Sequence, residues 1–229
     1  NYLKQLILER TLDDFSVVLA NHQTNGRGQM GASWLSEKGK NLAFSVLKRN
    51  ISIKTNEHFL LNILVSLSII KTLEGFNIPK LSIKWPNDIL SDHYKISGIL
   101  IETLIKNKQI EYAIIGIGLN VNQVSFEGLP KASSLKNIMP LTFDRDELLT
   151  KIVDNIKTYF QLHSVNGTEF LNAEYESYLF RKDKPSTFKS HDNSLFTAII
   201  RGVSASGKLC IQTEDSNKEF DLKELKLLY

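Results

Sequence analysis

Cysteine is almost missing from this sequence. A single Cys210 among 229 residues excludes an internal disulfide and any zinc site built on paired thiolates, and it suits a reducing compartment. It stands in Leu209-Cys210-Ile211, where a free cysteine is expected as a small core residue. Long apolar runs are also lacking. The longest, Phe59 to Ile70, is broken by Asn62, Ser66 and Ser68, too short and too polar to span a bilayer. With no leader peptide in view, a cytoplasmic protein without membrane association is expected. Neither sign of charge is in excess. There are 28 Lys and Arg against 25 Asp and Glu, a formal net charge of +3, spread along the chain rather than gathered into the patch that nucleic-acid binding needs. The five histidines (His22, His58, His93, His163 and His191) are scattered, and no nucleophile constellation is visible, so a covalent enzyme intermediate is not expected. The sequence opens on Asn1 without a methionine, and residues upstream or processing are expected.

What is present is the composition of an ordinary globular protein, 42% hydrophobic and 23% charged, with chain enough for one large unit and one small one. A β-rich run from Phe15 to Ala20 leads into a polar, glycine-bearing loop from Asn21 to Ser33. Asn41 to Leu47 alternates as a strand does, with Leu42, Phe44 and Val46 on one face. Glu57 to Glu74 is apolar nearly all round, which predicts a buried helix capped by Thr55 or Asn56 and stopped by Gly75. Strands are predicted at Leu81 to Trp85, Lys95 to Thr103 and Glu111 to Ile117, the last apolar on both faces as a central strand is. Asp144 and Glu147 open a second helix in the manner of a capping box, and a third runs from Glu169 to Tyr178. Beyond Arg181 only short strands and turns follow: Leu195 to Val203, Lys208 to Thr213 and Lys218 to Leu222. The predicted fold is therefore α/β (α+β), a mixed sheet with packed helices over residues 1–180 and a small SH3-like β-barrel over residues 181–229.

Four segments carry chemistry. In Gln23-Thr24-Asn25-Gly26-Arg27-Gly28-Gln29-Met30-Gly31, glycines let the backbone approach a ligand and aim N–H groups at anionic oxygens. The segment lacks the Gly-Lys-Ser/Thr ending of a P-loop and runs on to Trp34 through polar residues. Taken alone, it reads equally as a flexible surface loop. Lys84-Trp85-Pro86-Asn87-Asp88 delivers a cation, an amide and a carboxylate at a strand end, where Pro86 cannot continue a ladder. That trio suits phosphate oxygens and a magnesium ion, though the same residues also make a plain turn. Lys95-Ile96-Ser97-Gly98-Ile99-Leu100-Ile101-Glu102 starts a strand with a lysine and places Gly98 where a ligand or backbone could approach closely. Gly116-Ile117-Gly118-Leu119-Asn120 ends the central strand with small residues and an amide that is either a ligand or a turn cap.

In this order and spacing, with Ala132-Ser133-Ser134-Leu135 following, the segments resemble those of biotin–protein ligases over the whole chain. The resemblance implies an ATP-dependent enzyme that makes biotinyl-5'-AMP and passes biotin to a lysine of a biotin carboxyl carrier protein, with ATP and Mg2+ required. It implies biotin contacts from Asn1, Gln23, Gly26, Arg27, Gly28, Gln29, Lys95 and Gly98. Arg27, Trp34, Lys84, Asn87, Asp88, Lys95 and Asn120 would face ATP, Asp88 and Asn120 the metal, and Lys95, Asp88 and Arg27 would be catalytic. The family's loop is often richer in arginine than Gln29 and Met30 make this one, and no helix-turn-helix precedes the segments. A ligase without a DNA-binding role is therefore expected, a homodimer is compatible with it, and removing the tail from Lys184 is expected to spare activation more than transfer. A lipoate or octanoate ligase of related fold is the nearest rival. A non-catalytic nucleic-acid module using Arg201, Lys208, Lys223 and Lys226 is the rival from another class.

Overall fold

The computed structural model describes residues 2–222 and 224–229, apart from the side chain of Met30. Asn1, expected at the ligand, and Lys223 lie outside the described residues. The main sheet contains β1 (Val17–Leu19), β4 (Leu42–Arg49), β5 (Leu81–Lys84), β6 (Asp88–Ser91), β7 (Tyr94–Lys106) and β8 (Gln109–Leu119) in the order β1-β4-β8-β7-β6-β5. Every pairing in it is antiparallel. The glycine-bearing segment, read as a loop, forms a two-stranded ribbon of β2 (Gly26–Arg27) and β3 (Ser33–Trp34). As expected for a strand apolar on both faces, β8 lies inside the sheet, between β4 and β7.

One face of the sheet carries the core. The helix α2 (Leu60–Gly75) buries its residues almost all round, between the sheet and α4 (Arg145–Asn166). Its polar positions are accommodated locally: the Ser68 hydroxyl donates to the Leu64 carbonyl (2.6 Å), that of Thr72 to the Ser68 carbonyl (2.8 Å), and the Asn155 amide reaches Thr72 (2.9 Å). The Ser68 and Thr72 hydroxyls thus have partners, which avoids most of their desolvation cost, whereas the buried Ser66 Oγ finds none among the described residues. The predicted cap differs. Thr55 and Asn56 belong to a 3-10 turn, and α2 starts after Phe59 with no side-chain cap. Packing of an apolar helix replaces the cap here. By contrast, Asp144 caps α4 as expected, accepting from the N–H groups of Asp146 and Glu147.

On the opposite face, α1 (Tyr2–Glu9) packs Leu3 against Leu47 and Ile114 and leaves the rest of the face open. After α3 (Leu135–Ile138) and α5 (Glu169–Ser177) comes a five-stranded sheet. It consists of β9 (Pro185–Ser190), β10 (Leu195–Val203), β11 (Leu209–Gln212), β12 (Asn217–Phe220) and β13 (Leu225–Leu228), in the order β12-β11-β10-β9-β13. Its Phe188, Ile200, Leu209 and Ile211 join the same continuous core as Phe59, Tyr175 and Leu179. Cys210, expected in the core, is only partly covered, because alternation along β11 buries Leu209 and Ile211 instead.

Candidate active site

The open face of the sheet is a trough because its residues are small. Cross-strand pairing sets Gly98 beside Gly118 and Gly118 beside Ala43 in one row, and Leu100, Gly116, Ser45 and Val18 in the next. Since successive side chains alternate faces, these rows leave a cavity of about 690 Å³ that a sheet of larger side chains would fill. That is room for a small ligand. Its walls include Gln23, Arg27, Gly28, Gln29, Trp34, Lys84, Asn87, Asp88, Lys95 and Gly98, so most of the expected site residues meet at one cavity. Gly26 is on the ribbon wall of an adjoining recess.

At one end of the trough the chain turns between β5 and β6 through a cis Trp85–Pro86 bond. Cross-strand register then puts Lys84 opposite Asp88. The Asp88 carboxylate lies 2.5 Å from the Lys95 Nζ and 3.7 Å from that of Lys84. Burial is the largest influence on the Lys84 ammonium and lowers its pKa; Asp88 pulls it back up, while Lys95 and Lys131 push it further down. Two cations are thus held together by one carboxylate, leaving a net positive end to the trough. Asn87 is buried and serves its neighbour strand: its amide donates to the Ile99 carbonyl (2.6 Å), and the Ile99 N–H donates to the Asn87 carbonyl (3.0 Å).

The ribbon crosses above the glycines. Gly28 N–H donates to the Ala32 carbonyl (2.6 Å), closing its tip. Trp34 lays its indole on Gly98 and Gly118, where a Cβ on Gly118 would overlap the ring. The Lys95 ammonium lies 5.8 Å from the Trp34 ring centroid, within range of a cation–π contact. The Trp34 Nε1 is buried and finds no partner among the described residues. Arg27 reaches Glu102 at 3.3 Å, at the other end of the same strand that carries Lys95.

Asn120 is not in the wall. Its amide donates to the Ser133 carbonyl (2.9 Å), its own N–H donates to Ile96, and its buried Oδ1 has no partner among the described residues. The described residues contain no group of three His, Cys, Asp or Glu side chains able to hold a metal. A single carboxylate beside two lysines fits a magnesium ion carried mainly by phosphate oxygens and water, a common way for that ion to bind. Sequence reasoning missed Lys131 and Tyr229. Lys131 donates to the Tyr229 carbonyl and stands 3.8 Å from its ring centroid, and Lys84 lies 5.6 Å from the same ring. No spacing could have announced a pair 98 positions apart.

Comparison with known proteins agrees with this arrangement. Residues 1–120 match the profile of the biotin/lipoate A/B protein ligase family. Over 218 residues the chain is 26% identical to the bifunctional ligase/repressor BirA of Bacillus spizizenii, covering 93% of this chain and 66% of that protein. It is 25% identical over 201 residues to the biotin–[acetyl-CoA-carboxylase] ligase of Mycobacterium tuberculosis, covering 86% of this chain and 73% of that one. Among solved structures, biotin protein ligase from Aquifex aeolicus in complex with biotin and ATP superposes with a TM-score of 0.82. Its sequence identity is 28%, with 98% of this chain and 93% of that chain covered. The matched family profile spans more than half of the sequence, and the chain belongs to the biotin/lipoate A/B protein ligase family.

Proposed function

We propose that this chain is a biotin–protein ligase that activates biotin with ATP and transfers it to a lysine of a carrier protein. The observation that carries this reading is the Lys84–Asp88–Lys95 cluster at one end of a glycine-floored trough. In the first half-reaction a biotin carboxylate oxygen attacks the α-phosphorus of ATP, and pyrophosphate leaves. Attack of one anion on another is opposed by charge, and Lys84 and Lys95 supply positive charge already in place, which is commonly a large catalytic contribution. Bound magnesium, with Asp88 as its protein ligand, would neutralise further phosphate charge. Asn120, the second expected ligand, would have to leave the Ser133 carbonyl to which its amide donates.

The ribbon bearing Gln23, Gly26, Arg27, Gly28 and Gln29 would cover biotin, with Gly98 beneath it. Trp34, Lys84, Asn87 and Lys95 would bound the nucleotide. Covering matters because the acyl-adenylate is labile to water. In the second half-reaction the acceptor lysine, as a neutral amine, attacks the acyl carbon, the acyl–phosphate bond breaks as AMP departs, and the proton the amine loses passes to Asp88. Asp88 would orient that amine when Lys95 turns from it to phosphate. The division into residues 1–180 for this chemistry and 181–229 for an accessory unit belongs to the same proposal, as do the carrier partner and a cytoplasmic site of action. Among the described residues no helix is long and apolar enough to cross a membrane.

The test is ATP–pyrophosphate exchange driven by biotin, lipoate or octanoate in turn, followed by transfer of labelled biotin to a carrier domain. Biotin-dependent exchange and labelling are expected. Exchange driven by lipoate or octanoate alone would reassign the substrate.

A further inference from the structure

Lys95 and the cavity-lining Glu102 lie seven positions apart along β7. Gly98, Leu100 and Glu102 alternate onto the trough face. The Lys95 end gathers Lys84 and Lys95 about Asp88, and the far end gathers Lys4 and Arg27 about Glu102. Its two oxygens are divided between different elements. Oε1 accepts from Lys4 of α1 at 2.8 Å, and Oε2 pairs with Arg27 of the ribbon at 3.3 Å. These partners come from 98 positions before it and 75 positions before it. Burial, the largest single influence, would raise the Glu102 carboxyl, but the hydrogen bond and charge of Lys4 and the charge of Arg27 together outweigh it and hold it below the usual range. It is therefore an anion throughout the neutral range.

We propose that Glu102 is a positioning residue for biotin, acting through Arg27. This rests on the ligase reading above. Glu102 holds the Arg27 guanidinium over the end of the trough away from Lys84 and Lys95, and through Lys4 it ties that position to α1, whose Tyr2 and Leu3 also line the cavity. Glu102 needs no contact with reacting atoms for this effect.

Binding of biotin by titration calorimetry, together with steady-state KM and kcat, tests this in wild type, Glu102→Gln, Arg27→Ala and the double variant Arg27→Ala/Glu102→Gln. Glu102→Gln is expected to weaken biotin about fivefold, the scale of losing two part-exposed pairs, with the loss in KM rather than kcat. In the Arg27→Ala background the same change is expected to have little effect. The exchanged pair Lys4→Glu/Glu102→Lys rebuilds the tie to α1 but sets a lysine against Arg27, so biotin affinity is expected to stay low. Wild-type affinity in Glu102→Gln, equal losses in both backgrounds, or recovery in the exchanged pair would each overturn the proposal. If wild type itself neither binds biotin nor exchanges pyrophosphate, the ligase reading fails instead, and the wild-type control separates the two cases.

Discussion

Adding one methyl group to Gly118 tests the idea that small residues make the trough and that Trp34 occupies part of it. Gly118 does not use the left-handed backbone region, so alanine there meets no conformational penalty. Its Cβ would instead overlap the Trp34 indole, whose ring is fixed between the ribbon and the glycines. Overpacking of this kind costs about 1–3 kcal/mol. At roughly 2–4 °C per kcal/mol for a chain of this size, Gly118→Ala is expected to lower Tm by roughly 2–12 °C. In a Trp34→Ala background the overlap is gone. What remains is the reduced freedom of the unfolded chain, which stabilises by about 0.4–1 kcal/mol. The same substitution is therefore expected to change sign. Urea unfolding followed by far-UV circular dichroism, on wild type, both single variants and the double, measures the cycle directly. Additivity within about 0.5 kcal/mol, the usual behaviour of uncoupled sites, would refute both the contact and the account of the floor.

Other outcomes follow from the same geometry. Lys95→Ala is expected to retain the far-UV spectrum and to lose most ATP–pyrophosphate exchange, since its Nζ lies at a cavity wall, 2.5 Å from Asp88, and not in the core; near-normal exchange would remove it from the mechanism. Tyr178 donates its hydroxyl to Glu74 (2.6 Å), and that bond pushes its pKa from 10.0 to about 12. Being raised in the folded state, this group contributes stability that is complete below pH 10 and lost as pH rises towards 12. Tyr178→Phe should therefore be less stable than wild type at pH 8, with the deficit closing between pH 10 and 12 in urea titrations. Truncation before Lys184 is expected to abolish cooperative folding and both half-reactions, contrary to a tail that serves transfer alone. It removes Phe188, Ile200, Leu209 and Ile211 from the common core and the Gly207 carbonyl that accepts from Trp85 Nε1 (2.9 Å); a soluble fragment that exchanges pyrophosphate would overturn this.

The resemblance and the broad element order were legible because they depend on local residue types. Alternation in Leu42, Phe44 and Val46 announced β4, the all-apolar stretch after Phe59 announced α2, and Asp144 announced the start of α4. The Lys84 to Asp88 and Lys95 to Glu102 segments could be singled out only together and in order, because each alone also serves as a turn or a strand edge. Several short elements could not be found this way. Among them, α1 has no capping signal in the described residues, and β13 gains its register only from β9.

Tertiary structure decided the relations between segments. The glycines were visible in sequence as permissive positions. Their purpose, a floor on which Trp34 lies, depends on Gly98 and Gly118 pairing across two strands and on a ribbon folding over them. Asn120 and Asp88 both looked suited to a metal in sequence, yet the amide of one is held by the Ser133 carbonyl outside the cavity wall and the other met two lysines at the cavity. Residue type sets what a side chain can bind. Strand register and packing decide which groups share a site, because Coulomb attraction and hydrogen bonding act over a few ångströms of space however far apart the residues lie along the chain.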